Sequence, residues 1–80
     1  MPELPPWIPD RRQEIGDHIR QHREWANLTQ GDVITRTGLD RRTVQRIERG
    51  ETDARLSWLL VIADAIGVPL AQLVEPRPTA

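Results

Sequence analysis

The sequence predicts an all-α protein, a bundle of five short helices in one domain at residues 10–74. Apolar residues recur at helical spacing, as at Ile15 and Ile19, and no stretch alternates with the period of two that a half-buried strand needs. Helix-start and helix-stop residues divide the chain into five segments. A chain of 80 residues buries only about 60 % of the surface that it exposes when unfolded. A second domain or a deep substrate cleft is therefore not expected.

The first helix is expected to follow a proline-rich amino-terminal arm at residues 1–9, which contains four prolines. Asp10 is the predicted N-cap, because Gln13 follows it at the spacing of a capping box. The helical pattern continues to about Trp25. Asn27 is then the predicted stop, since asparagine is the best substitute for glycine in the left-handed conformation that ends a helix.

The second and third helices are short and close together in the sequence. Thr29 and Asp32 form a capping signal for the second helix, which is expected to end near Arg36. Thr37 and Gly38 then interrupt the pattern. Asp40 is the predicted start of the third helix, where its negative charge suits the positive end of the helix dipole.

The last two helices are separated by glycine and proline. Gly50 ends the third helix, and Asp53 is the predicted N-cap of the fourth, which ends at Gly67. Pro69 is suited to the start of the fifth helix, because proline is favoured in a first helical turn. Residues 75–80 are expected to form a flexible carboxyl-terminal tail.

The second and third helices have the spacing of a helix-turn-helix unit. Four residues, 37–40, separate them, with a glycine at the turn. In such a unit the second of the two helices enters the major groove of DNA. Here Val44 and Ile47 lie three residues apart and are expected to face the core, which leaves an arginine-rich arc exposed. The predicted base-contacting residues on this arc are Arg41, Arg42, Gln45 and Arg46.

Positive charge is concentrated in this part of the chain. The whole chain carries a net charge of −1, whereas residues 29–50 carry five arginines against three acidic residues. Arginine can donate two parallel hydrogen bonds to guanine, a contact worth about 1–3 kcal/mol of discrimination between bases. Gln30 at the start of the second helix, Thr43 and Arg49 are the predicted contacts to DNA phosphates.

The chain resembles the phage-repressor-like helix-turn-helix family, also called the Cro/C1 or XRE type, over about residues 15–74. The resemblance is carried by LTQ at residues 28–30, IERG at residues 47–50 and LLVIADAIGV at residues 59–68. It implies the lambda-repressor-like five-helix fold, binding of operator DNA and a two-fold dimer. It also implies an internal ion pair between Arg23 and Glu48.

The resemblance implies that the function is sequence-specific regulation of transcription by repression, and a two-fold dimer would bind an inverted-repeat operator. Trp58 and Leu73 are the predicted dimer surface, because tryptophan is enriched where protein surfaces pair. The alternative is a protein-interaction module. The same bundle would then serve as an adaptor for an acidic partner, or as an antitoxin-like regulator that binds both DNA and a toxin-like protein.

Other functional classes have little support in the sequence. There is no cysteine, and His18 and His22, four residues apart, have no convincing third ligand, so neither a metal nor another cofactor is expected. Ser57 has no positioned base, so no catalytic residue is assigned and an enzyme is not expected. The longest apolar run, residues 59–63, is too short to span a membrane, and a cytoplasmic protein is expected.

Overall fold

The computed structural model describes residues 3–78, which form five α-helices and no strand. The helices are α1 (Ile8–Trp25), α2 (Gln30–Thr37), α3 (Arg41–Glu48), α4 (Leu56–Ile66) and α5 (Leu70–Val74). The all-α prediction is therefore confirmed. Residues 1–2 of the predicted arm and residues 79–80 of the predicted tail lie outside the described residues. No helix in the described part of the chain is long and apolar enough to cross a membrane.

The helix-turn-helix unit has the predicted caps on both of its helices. The Thr29 hydroxyl accepts a hydrogen bond from the Asp32 amide at 3.0 Å, and the Asp32 carboxylate accepts one from the Thr29 amide at 2.8 Å. The Asp40 carboxylate accepts a hydrogen bond from the Thr43 amide at 2.7 Å. Between the helices, Gly38 adopts a left-handed φ of 78°. Side-chain hydrogen bonds therefore fix both helix starts, and the backbone freedom of Gly38 permits the turn between them.

The predicted start of α1 is wrong by three residues, since the predicted N-cap was Asp10. The helix begins at Ile8, with Trp7 in the N-cap position and Pro9 in the first turn. Proline is tolerated there because the first amides of a helix have no partner within the helix. Asp10 therefore lies inside the first turn and does not cap the helix. The predicted end is confirmed, since Asn27 has a φ of 58°.

The predicted N-cap of α4 is also wrong. The helix begins after Arg55, whose side chain makes no capping hydrogen bond. The Asp53 carboxylate instead accepts a hydrogen bond from Arg12 Nε of α1 at 3.3 Å. Asp53 lies two residues before the N-cap position, so its carboxylate does not reach the first amides of α4. Gly67 ends α4 as predicted, with a φ of 90°.

Each of the five helices contributes to one apolar core. Its buried members are Ile19, Val33, Val44, Ile47, Ile62, Ala63, Ile66 and Leu73. Leu73 is completely buried, so the prediction that it forms part of a dimer surface is wrong. The reason is the shortness of α5, which must direct its main apolar side chain inward to cover the bundle. Trp58 is half-buried against the core, and the Arg55 guanidinium lies 5.3 Å from its ring centroid.

Helix α1 and the end of α3 are packed backbone against backbone. A Cβ atom added at Gly16 would lie 2.5 Å from the Glu48 carbonyl oxygen and 2.6 Å from that of Ile47. A Cβ atom added at Gly50 would lie 2.8 Å from Cα of Gln13. Real Cβ atoms essentially never come so close to other atoms. The two glycines therefore allow α1 to support the carboxyl-terminal end of α3.

Candidate nucleic-acid interface

Helix α3 has one buried face and one arginine-rich exposed face. Val44, Ile47 and Glu48 are at most 5 % exposed. The side chains of Arg41, Arg42 and Arg46 are exposed, and that of Gln45 is half-buried. Packing of the buried face against α1 and α2 therefore presents the predicted base-contacting residues together on the outer side of the helix.

Arg41 lies at the junction of α2 and α3. Its Nη2 atom is 3.7 Å from the position that a Cβ atom would take at Gly31, the second residue of α2. The guanidinium therefore lies beside the amino-terminal end of α2. Arg42 and Arg46, four residues apart, share a helical side farther along α3. The exposed positive charge thus extends from the start of α2 along α3.

A buried ion pair supports the inner side of this surface. Arg23 of α1 donates from Nε to Glu48 Oε2 at 2.7 Å and from Nη2 to Glu48 Oε1 at 3.0 Å. Its third nitrogen, Nη1, donates to the Leu28 carbonyl oxygen at 3.0 Å. The hydrogen bonds to Glu48 raise the pKa of Arg23, although burial opposes its charged form. The pair implied by the family resemblance is thus present in the structure.

The three predicted phosphate contacts lie near the two ends of α3 and at the start of α2. Gln30 is the first residue of α2, is half-buried, and donates from Nε2 to Glu48 Oε1 at 3.1 Å. Thr43 is half-buried in the first turn of α3. Arg49 is exposed at the C-cap of the same helix. Their contact with phosphates stays a prediction, as does the contact of the α3 arginines with bases.

The two capping carboxylates stay ionised well into the acid range. Hydrogen bonds from the backbone and side chain of Thr29 lower the pKa of Asp32 below its ordinary value. Hydrogen bonds from the side chain and backbone of Thr43 lower the pKa of Asp40 in the same way. Both acids are therefore negative at neutral pH, and each stabilises the positive end of its helix.

One tertiary contact of this unit was not predicted from the sequence. Arg36, near the end of α2, donates from Nη1 to the Ala65 carbonyl oxygen at 2.9 Å, close to the end of α4. It therefore ties the helix-turn-helix unit to the rest of the bundle. No local pattern in the sequence indicates this contact, because the two residues are 29 positions apart.

The two histidines contribute to packing of α1. His18 Nδ1 lies 3.2 Å from the Leu73 carbonyl oxygen, and the His22 ring meets the ring of Trp25 edge to face at 5.1 Å. Within residues 3–78, no three potential ligand side chains are grouped so that they could hold a metal ion.

The family of the chain follows from its match to known proteins. Residues 14–75 match a family model described as a helix-turn-helix domain. The chain belongs to the helix-turn-helix family. The match covers all of α2 to α5 and most of α1. It confirms the resemblance to the Cro/C1 or XRE type that the sequence motifs indicated.

Relatives of the chain include named regulators. It is 31 % identical to an uncharacterized HTH-type transcriptional regulator, y4dJ, of Sinorhizobium fredii (strain NBRC 101917 / NGR234), over 84 % of this chain and 87 % of that protein. It is 27 % identical to the control protein C.SmaI of Serratia marcescens, over 92 % of this chain and 88 % of that protein.

Two crystal structures share the fold over most of their length. The first is the restriction-modification controller protein C.AhdI from Aeromonas hydrophila, with a TM-score of 0.74 and 29 % identity over 78 % of this chain and 94 % of that chain. The second is the hypothetical transcription factor NHTF from Neisseria, with a TM-score of 0.79 and 30 % identity over 95 % of this chain and 87 % of that chain. The five-helix arrangement is therefore that of helix-turn-helix transcription regulators.

Proposed function

We propose that this chain is a non-enzymatic, sequence-specific regulator of transcription that represses by reading the major groove of double-stranded DNA with residues 40–49. DNA binding and transcription regulation follow from its membership of the helix-turn-helix family. The observation that carries the finer proposal is the division of α3 into a buried apolar face and an exposed face with Arg41, Arg42 and Arg46. A helix with this division can enter the groove while the bundle stays intact.

The proposed contacts divide by position along the unit. Arg42, Gln45 and Arg46 face base edges together with Arg41, which begins the helix. Arg49 and Gln30 hold phosphates on the two sides of the groove, and Thr43 joins them from the first turn of α3. Phosphate contacts fix the register of the protein on the duplex, whereas base contacts select the sequence.

The proposed active form is a homodimer on an inverted repeat. A two-fold dimer places its recognition helices about 34 Å apart, one turn of the duplex. The two larger dimensions of this protomer are 35 and 32 Å, so two copies side by side can span that distance. Leu56, Leu60 and Val61 of α4 are 63 %, 48 % and 40 % exposed, and we propose that they meet a second copy. They replace Leu73 in the predicted dimer surface, and Val61 lies three residues from Trp58, on the adjacent turn of α4.

A narrower role is favoured by the two controller proteins among the relatives. C.SmaI is a control protein, and C.AhdI is a restriction-modification controller. The similarity to C.SmaI extends over 92 % of this chain, and the similarity to C.AhdI over 78 % of it. A role as controller of a restriction-modification gene set is therefore a candidate within the proposed function. It predicts that the selected operator lies upstream of a restriction or modification gene.

Salt dependence tests the proposed function against an adaptor that does not bind DNA. The logarithm of the association constant for duplex DNA should fall linearly with the logarithm of salt concentration, with a slope of about −0.9 for each phosphate neutralised. Titration of labelled duplexes with protein at several salt concentrations measures this slope. Weak binding without sequence preference at every salt concentration would instead favour the protein-interaction alternative, to be tested with an acidic partner.

A further inference from the structure

The buried ion pair has a third participant on the surface of the protein. Oε1 of Glu48 accepts hydrogen bonds from both Arg23 Nη2, at 3.0 Å, and Gln30 Nε2, at 3.1 Å. The Glu48 side chain is only 4 % exposed, and that of Arg23 is 12 % exposed. Gln30 is half-buried and begins α2. A polar side chain at the proposed DNA surface is thus attached to a carboxylate in the interior.

We infer that Glu48 is a positioning residue, which holds the amide of Gln30 in the orientation needed to donate to a DNA phosphate. The inference rests on the proposed function, because it concerns the same surface. The nitrogen of a glutamine side chain carries two hydrogens. One of them is directed at Glu48, so the second is free to donate to a phosphate oxygen outside the protein.

The energetic reason is conformational entropy. A free glutamine side chain on a surface samples many rotamers, and ordering one when a ligand binds costs about 0.5–1.5 kcal/mol. A hydrogen bond to an ionised carboxylate is stronger than one between neutral groups, so Glu48 can order the side chain before DNA arrives. The factor expected from this ordering is about 2- to 10-fold in DNA affinity, which is the same free energy expressed as a ratio.

The position of Glu48 also connects three helices at one point. Its carboxylate lies at the end of α3, Arg23 belongs to α1, and Gln30 begins α2. The end of α3 is fixed against α1, since there is no room for a Cβ atom at Gly16 beside the Glu48 carbonyl. The carboxylate is therefore a rigid anchor. A phosphate contact made through Gln30 is thus held in register with the base-contacting side of α3.

The hydrogen bond between Gln30 and Glu48 can be tested in the wild-type protein without DNA. NMR relaxation of side-chain amides would compare Gln30 with Gln21 and Gln72, which are exposed glutamines on α1 and α5. The Gln30 amide is expected to be more ordered and to exchange its hydrogens more slowly. Equal mobility in all three glutamines would overturn the inference, whatever the protein does with DNA.

A cycle of variants tests the effect of the Gln30–Glu48 hydrogen bond on DNA binding. Replacing a buried ion pair with apolar residues of similar size is often neutral for stability, so Arg23→Met/Glu48→Met provides a folded background that lacks the anchor. Gln30→Ala is then measured in the wild-type and in this background by fluorescence anisotropy with a duplex that the wild-type protein binds. Each comparison is made within one background, so any contribution of Arg23 to DNA binding cancels.

The expected result is that Gln30→Ala weakens binding several-fold in the wild-type background and has little effect in the Met/Met background. An equal loss in both backgrounds, or no loss in the wild-type background, would overturn the inference. Failure of wild-type protein to prefer any duplex would count against the proposed function instead. If the double variant did not fold, the NMR measurement on the wild-type protein would still test whether Glu48 holds Gln30. A Gln30 side-chain amide as mobile as those of Gln21 and Gln72 would overturn the inference.

Discussion

Gly16→Ala is expected to destabilise the protein, although the same change in most helix interiors is stabilising. Alanine is favoured over glycine in a helix by about 0.8–1.0 kcal/mol. At Gly16, however, the new Cβ would lie 2.5 Å from the Glu48 carbonyl oxygen, about 0.9 Å short of the 3.4 Å of ordinary contact. The nearest atoms all belong to the backbone of α3 and cannot rotate away. Helices α1 and α3 must therefore separate.

The magnitude follows from two opposing contributions. Inserting a methyl group into a well-packed core costs about 1–3 kcal/mol, and an obstacle made of backbone favours the upper part of that range. After the gain in helix propensity, the expected net loss is about 1–2 kcal/mol in free energy of unfolding. For a domain of this size each kcal/mol lowers Tm by roughly 4–8 °C. Displacement of α3 should weaken DNA binding as well.

Urea titration and thermal unfolding followed by circular dichroism measure this effect. Gly31→Ala in α2 is the matched control, because the nearest atoms to its Cβ would be Thr29 Oγ1 at 3.5 Å and Arg41 Nη2 at 3.7 Å. The control should be neutral or slightly stabilised. If Gly16→Ala proved as stable as the wild-type protein, or gained as much as the control, the close packing of α1 on α3 would be refuted.

Four further changes have expected outcomes. Arg23→Met alone should lower the free energy of unfolding in urea by about 3–5 kcal/mol, since it leaves the Glu48 carboxylate buried and unpaired; no loss would show that the pair contributes little. Folding lowers the pKa of Asp40 from its ordinary value of 3.8. The contribution of the ionised Asp40 carboxylate to the free energy of unfolding is therefore complete above pH 3.8 and is lost as pH falls through the lower folded-state pKa. Asp40→Asn should therefore flatten the acid side of the stability profile in urea titrations at a series of pH values, and an unchanged profile would contradict this. Arg49→Ala should weaken binding to all duplexes alike and reduce the steepness of the salt slope by about 1 per protomer; loss of preference at one base would instead make Arg49 a base contact. Leu60→Glu should give monomers in sedimentation at concentrations where the wild-type protein is dimeric, whereas a persisting dimer would exclude the exposed face of α4.

Local chemistry explains which parts of the fold could be predicted. The caps at Thr29 and Asp40 depend on side chains within three residues of the amides that they bind, so the sequence contains all the information needed. Asp53 was likewise predicted to be an N-cap, but α4 begins after Arg55. The Asp53 carboxylate accepts a hydrogen bond from Arg12, 41 positions away. Leu73 shows the same limit for burial. A short amphipathic segment does not reveal which of its apolar residues covers the core.

The sequence predicted which residues the candidate interface contains, but not the hydrogen bonds that join them to other helices. The periodicity of α3 predicted that Val44 would be buried and that Arg42 would be exposed. The contact of Gln30 with Glu48 joins residues 18 positions apart on two helices, and its geometry depends on the angle between them. The angle between α2 and α3 depends on how both pack against the rest of the bundle, and the periodicity of a single helix does not predict it.

Selection of bound duplexes from a random-sequence pool tests the central claim that α3 reads base sequence in the major groove. It is run with the wild-type protein and with Arg42→Ala at two salt concentrations. The account predicts an enriched inverted repeat with half-sites about one helical turn apart. The variant should lose preference at one symmetric position and keep the rest. Absence of any enriched sequence, or identical preferences for both proteins, would contradict direct reading by this helix.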